Sequence, residues 1–177
     1  RELAEQLYQV ATQLVTYSPD EIRISNFVGG TDKQRQINKL SQQQSHVVIG
    51  TPGRILDLVN EQVLKIHTTK AFVVDEADMT LDMGFLHDVD QIAGRMPKHL
   101  QMLVFSATIP QKLQPFLKKY MENPEIINLE PKQIVAASIS NYLLATKSGN
   151  KMDVLDRALS IGQPYFTLIF ANTKQKV

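Results

Sequence analysis

Leu3, Leu7, Val10, Ala11, Leu14 and Val15 recur at the spacing of one helical face, with Glu2 and Glu5 in the first turn, so the chain opens with an amphipathic helix from Arg1 to about Thr16. Ser18-Pro19-Asp20 interrupts that period. Ile22, Ile24 and Phe27 then alternate with polar residues, which predicts a strand ending at Gly29-Gly30. Thr31 and Asp32 offer capping oxygens to a polar helix reaching about Leu40, and the glutamines at 42 to 44 read as a loop. A second strand, His46-Val47-Val48-Ile49-Gly50, runs into Thr51-Pro52-Gly53-Arg54, where Thr51 suits an N-cap and Pro52 the first helical position. Ala71-Phe72-Val73-Val74 is a third apolar run, ending in Asp75-Glu76-Ala77-Asp78 and followed by a helical segment through Leu81 and Gly84 to about Gly94. Met102-Leu103-Val104-Phe105 is a fourth, ending in Ser106-Ala107-Thr108, and Pro110 opens a helix to about Tyr120.

Short, nearly continuous apolar strands alternating with helices predict an α/β fold with a parallel sheet and helices on both faces. After Asn123-Pro124, Ile126 to Leu129 reads as one more strand, and the character then changes. We expect a first domain over residues 1–129, a linker over 130–137, and over 138–177 the opening of a second domain of the same type: a strand at Ile139 to Ala145, a helix at Lys151 to Leu159 and a strand at Tyr165 to Phe170. A start on Arg1 and a last run stopping at Val177 read as an excerpt of something longer.

Composition narrows the function classes. With no cysteine there is no disulfide framework or thiolate metal site, and a cytoplasmic location is the natural inference. No apolar run is long enough to span a bilayer and no secretory signal opens the chain. The formal net charge is +1, so any contact with nucleic acid must come from a local groove of Lys, Arg and backbone amides. The four histidines show no metal-ligand spacing.

Carboxylates at the end of a buried strand suit the carboxyl edge of a parallel sheet, where open α/β folds bind ligands. Magnesium is held by one or two carboxylates together with substrate phosphates. Asp75, first after the strand, is the candidate ion holder, and Glu76 could orient and deprotonate a water attacking a terminal phosphate. A solvated acidic turn is the plain alternative, yet this tetrad arises by chance in on the order of one chain in a thousand of this size. Thr51, Gly53 and Arg54 combine free amides at a helix start, a hydroxyl and a guanidinium, which suit an anion, although a plain Pro-initiated helix is the simpler reading without context.

Asp75-Glu76-Ala77-Asp78 with Leu81-Asp82-Met83-Gly84-Phe85 resembles motif II of the DEAD-box ATP-dependent RNA helicases. Arg1-Glu2-Leu3-Ala4 is similar to the tail of motif Ia, Gly29-Gly30 to the GG element, Thr51-Pro52-Gly53-Arg54 to motif Ib and Ser106-Ala107-Thr108 to motif III. Ile169-Phe170-Ala171-Asn172-Thr173-Lys174 resembles motif IV, at the start of a second RecA-like domain. The resemblance implies a RecA-like fold and an RNA-stimulated ATPase that separates short duplexes, using ATP and magnesium. It implies that Asp75 and Glu76 serve magnesium and water activation. Asp78 would link the nucleotide site to the inter-domain contacts, while Ser106 and Thr108 couple hydrolysis to strand separation by bonding back to the acidic motif. Arg1, Gly29, Gly30, Thr51, Pro52, Gly53, Arg54 and Thr173 would contact RNA, reading backbone rather than base edges.

No Gly-x-x-x-x-Gly-Lys-[Ser/Thr] phosphate loop occurs in the 177 residues, nor the family's adenine-reading glutamine segment or its later second-domain motifs. The expectation is therefore an active parent protein, an inactive isolated segment, and an apolar sheet face left exposed. Two other readings remain open. One is a non-catalytic RNA-binding or partner-docking module, and the other a DNA-directed ATPase on the same scaffold. Protein partners, in this family, would be recruited through flanking regions.

Overall fold

The structure, a computed structural model, describes residues 1–129, 139, 140, 142–144 and 150–170. The chain forms two compact units, Arg1–Glu125 and Ile126–Val177. The expected linker over 130–137 lies outside the described residues, as does Thr173.

The first unit runs α1 (Glu2–Val15), β1 (Ile24–Phe27), α2 (Lys33–Gln42), β2 (Val47–Gly50), α3 (Pro52–Asn60), β3 (Ala71–Val74), α4 (Ala77–Asp82), α5 (Leu86–Ala93) and β4 (Gln101–Val104). A 3₁₀ turn over Gln111–Leu113 then leads into α6 (Gln114–Tyr120). Among the described residues the strands form two two-stranded parallel sheets, β1 with β2 and β3 with β4. Parallel pairing follows from the helical crossovers that separate the partners.

Each pair carries its own core. Phe27 of β1 packs with Leu40 of α2, Leu58 and Val59 of α3, and Leu64. On the opposite face of β1, Asn26 donates its side-chain amide to Glu5 Oε2 of α1 at 2.9 Å, so helices lie on both sides of this pair. The second core joins Val74 and Ala77 to Val89 and Ala93 of α5, with Leu113 and Phe116 below. Lys119 on α6 holds the Asp90 carboxylate at 2.7 Å, and the Tyr120 hydroxyl donates to the Asp90 carbonyl at 2.8 Å, fastening α6 to α5. The other face of this pair is open: Val73 is 53% and Phe105 55% exposed. This open apolar face is the one the sequence leads us to expect; the strand expected to be buried has only Val74 buried, because helices cover just one face of the second pair.

Two local departures have clear causes. The helix expected to run from Ala77 to about Gly94 is two helices, α4 and α5. Gly84 takes φ +79°, its N–H bonds to the Leu81 carbonyl at 3.0 Å and that of Phe85 to the Thr80 carbonyl at 2.9 Å, the pairing of a Schellman stop. Thr51 occupies the N-cap position of α3, yet its hydroxyl makes no capping bond and instead accepts the N–H of Gly29 at 3.2 Å. By contrast Asp32 does cap α2, accepting the N–H of Arg35 at 3.2 Å.

In the second unit α7 spans Lys151–Gly162, with Asn150 accepting the N–H of Met152 at 3.1 Å as its cap, and none of its residues is buried. Neither Ile126 to Leu129 nor Tyr165 to Phe170 forms a strand, and the described positions of the run from Ile139 to Ala145 do not either. A strand needs a neighbour to complete its ladder, and none pairs with these runs among the described residues.

Gly50, at the end of β2, sits where a Cβ would lie 2.3 Å from the Phe27 carbonyl oxygen and 2.8 Å from Ile55 Cδ1. At Gly53 the same atom would meet only Asp88 Oδ2, at 3.5 Å. Gly50→Ala is therefore expected to destabilise the chain by about 1–3 kcal/mol or more, and Gly53→Ala to leave the urea midpoint nearly unchanged. Equal midpoints for the two variants would contradict this packing.

Candidate functional site

The acidic turn is built from the backbone outward. The N–H of Phe105 bonds to the Val74 carbonyl at 2.8 Å and that of Ala77 to the Phe105 carbonyl at 3.0 Å, extending the β3–β4 pairing past the ends of both strands. Ala77 is 0% exposed in the second core. Between these anchors the chain must reverse, and Glu76 takes up the reversal in the left-handed region, at φ 48° and ψ 52°. That conformation costs a non-glycine residue roughly 1–2 kcal/mol. It is the kind of local strain that clusters at functional sites.

Asp75 and Glu76 are exposed. Asp75 Oδ1 accepts the Glu76 N–H at 2.9 Å, and no ion pair engages either carboxylate among the described residues. Among the described residues no group of three or more His, Asp or Glu converges there as a self-sufficient metal cage. An exposed oxygen donor of this sort fits magnesium as a shared ligand, with water and phosphate supplying the other positions.

Asp78 is held differently. Its Oδ2 accepts both the N–H and the hydroxyl of Thr108, at 2.9 and 2.7 Å. The Asp78 N–H donates to Ser106 Oγ at 3.1 Å, and that hydroxyl donates to the Thr108 carbonyl at 2.6 Å. Asp78, Ser106 and Thr108 thus form one closed network bridging the start of α4 to the segment after β4. The bond from the Thr108 hydroxyl holds the Asp78 carboxyl below its usual range, against an opposing contribution from partial desolvation, and the Thr108 and Met79 amides act in the same direction as the hydroxyl.

A second cluster lies at the ends of β1 and β2. The Arg1 guanidinium lies against Gly30, where a Cβ would come within 2.8 Å of Nη1, and Gly29 is tied to Thr51 as described. The Thr51 N–H in turn donates to the Phe27 carbonyl at 3.1 Å. Arg1, Gly29, Gly30 and Thr51 are therefore brought together. Pro52 opens α3 and Gly53 follows it toward Asp88. Arg54 is turned back onto the fold: Nη1 donates to Gln36 Oε1 at 2.6 Å and Nη2 to the Thr31 carbonyl at 3.3 Å, while Gln36 Nε2 donates to Thr31 Oγ1 at 2.8 Å. Gln36 is the residue the sequence did not single out. One polar position on a polar helix carries no signal until the fold sets it beside an arginine.

The DEAD/DEAH box helicase family model matches residues 1–116, and the chain belongs to that family. It is 55% identical over 177 residues to the DEAD-box ATP-dependent RNA helicase CshB of Bacillus cereus, covering 99% of this chain and 40% of that protein. To CshB of Bacillus subtilis it is 54% identical over 175 residues, covering 98% and 40%. Among solved structures it resembles a DEAD box protein from the hyperthermophile Methanococcus jannaschii, with TM-score 0.61 and 37% identity over 69% of this chain and 32% of that one. It also resembles a hypothetical ATP-dependent RNA helicase from Sulfolobus tokodaii, with TM-score 0.63 and 29% identity over 71% and 37%. The α/β fold is RecA-like, as the sequence implied. The chain spans about 40% of the length of these curated relatives. Among the described residues no helix is long and apolar enough to cross a membrane.

The sign of the Asp78 shift fixes a pH dependence. A depressed folded pKa contributes stability that is fully present above the ordinary value of 3.8 and is lost as pH falls through the lower folded value. Asp78→Asn should therefore lower the denaturation midpoint at neutral pH, with the difference from the unmodified chain narrowing as pH drops below that value. A gap that stays constant into strong acid would remove Asp78 from this linkage.

Proposed function

We propose that the chain is part of a cytoplasmic RNA helicase in which RNA-stimulated ATP hydrolysis drives local opening of short duplexes. The observation that carries this reading is the closed network of Asp78, Ser106 and Thr108, which fixes the exposed Asp75–Glu76 turn on the edge of a parallel sheet. The names of the relatives, ATP-dependent RNA helicases, support the same assignment.

In this reading Asp75 would hold magnesium, which when bound would supply charge to offset that of the transferring phosphoryl group. Glu76 orients the attacking water and accepts its proton. Asp78, Ser106 and Thr108 are positioning residues. Because the network joins the strand-end turn to the segment after β4, a shift on one side is felt on the other.

RNA would lie across Arg1, Gly29, Gly30, Thr51, Pro52, Gly53 and Arg54, with Thr173 contributing from outside the described residues. The absence of a side chain at Gly30 leaves room for the Arg1 guanidinium, whose outward N–H donors would meet a phosphate. Arg54 would contribute charge and its remaining N–H donors from a fixed position. Backbone contacts of this kind carry little sequence information, so protein partners acting through flanking regions would choose the target.

Glu76→Gln in the full-length protein should reduce RNA-stimulated phosphate release by at least about 10²–10⁴-fold while leaving ATP binding intact. Turnover at the unmodified rate would remove Glu76 from the role of base. Equal stimulation by DNA and RNA of matched length would shift the assignment to a DNA-directed ATPase.

A further inference from the structure

We infer that the groove between the free edge of β1 and the outer face of α2 is a second contact for an RNA strand, continuing the backbone track past Arg54; this rests on the RNA reading above. The groove, about 450 Å³ in volume, is lined by Asn26 from β1 and by Arg35, Gln36, Asn38, Lys39 and Gln42 from α2. Positions 35, 38, 39 and 42 fall on one helical stripe about 10 Å long. That is long enough for successive phosphates of one strand.

Three observations converge on this site. First, Arg35 and Lys39 are exposed, and neither has an ion-pair partner among the described residues. Two cations one helical turn apart thus face the groove unneutralised. Second, β1 is paired on one side only: the Arg23 and Phe27 carbonyls accept from Val47 and Thr51, so the intervening ladder turns the amide and carbonyl of Asn26 to the open edge. Third, Gln36 lines the groove and also holds Arg54 at 2.6 Å, so the groove adjoins the first RNA cluster without a gap.

A sheet edge beside a basic helix also suggests an acidic peptide added as a strand. Peptides bound in that mode draw specificity from pockets for alternate side chains. Here the apolar residue at the groove, Phe27, is 1% exposed, and no such seat is open. Unneutralised cations beside an open backbone edge suit a sugar-phosphate strand better.

The test uses fluorescence anisotropy on the full chain with labelled oligouridylates of about 6 and about 12 nucleotides. Arg35→Gln with Lys39→Gln is expected to weaken the longer strand about tenfold and to lower its salt slope by about 1.4, while barely affecting the shorter one. Arg35→Lys with Lys39→Arg should restore the longer strand. Lys98→Gln with Lys112→Gln, equal in charge and placed elsewhere, should bind like the parent, and matched circular dichroism shows that α2 survives. Unchanged binding of both lengths, or equal loss on both, would overturn the inference while leaving the RNA reading in place. Parent chain that binds neither length would overturn both. Intact RNA binding with loss of a poly-glutamate probe would assign the groove to an acidic protein instead.

Discussion

The N–H of Ala77, bonded to the Phe105 carbonyl at 3.0 Å, is the constraint on which the acidic site depends. It continues strand pairing beyond Val74 and Val104 and so fixes where the backbone must reverse. The methyl of Ala77 is wholly enclosed between the second core and that carbonyl, which leaves no room for a larger residue. With this point pinned, the residues before it emerge into solvent and the residue after it faces Ser106 and Thr108. The division of labour among three nearby acids follows from backbone geometry rather than from any difference in their chemistry. Two are open carboxylates, and the third is a bonded bracket.

The same economy governs the cluster at the ends of β1 and β2. Thr51 could have capped its own helix, yet its hydroxyl serves the glycine loop, so the two strand ends are cross-braced. Arg54, which could have reached outward, anchors to Gln36 and Thr31. Hydrogen bonds to a charged group are worth about 1.5–3 kcal/mol when well formed. The surface proposed to meet RNA is accordingly braced, and little ordering is left for binding to impose.

Much of this was legible in the sequence because the first unit is locally consistent. The helical period of α1, the apolar run Ala71 to Val74 and its abrupt acidic end, and the Thr51-Pro52 helix start each state their structure within a few residues. What was not legible needed a partner far away in the chain. Ile126 to Leu129 and Tyr165 to Phe170 have strand composition, but composition alone does not supply a neighbouring ladder. The split between α4 and α5 was hidden because a single glycine inside a helical pattern is often tolerated, and only the paired bonds to Leu81 and Thr80 show it to be a stop. The inward hold on Arg54 was hidden because no spacing rule joins a helix start to a glutamine on another helix.

Glu76 adopts a backbone conformation that glycine would accept freely. An engineer raising the melting temperature of this chain by placing glycine at left-handed positions would therefore find position 76 among the first candidates. The gain in robustness would come with loss of the carboxylate itself. Under the role proposed for Glu76, thermal endurance and chemistry compete at this single residue.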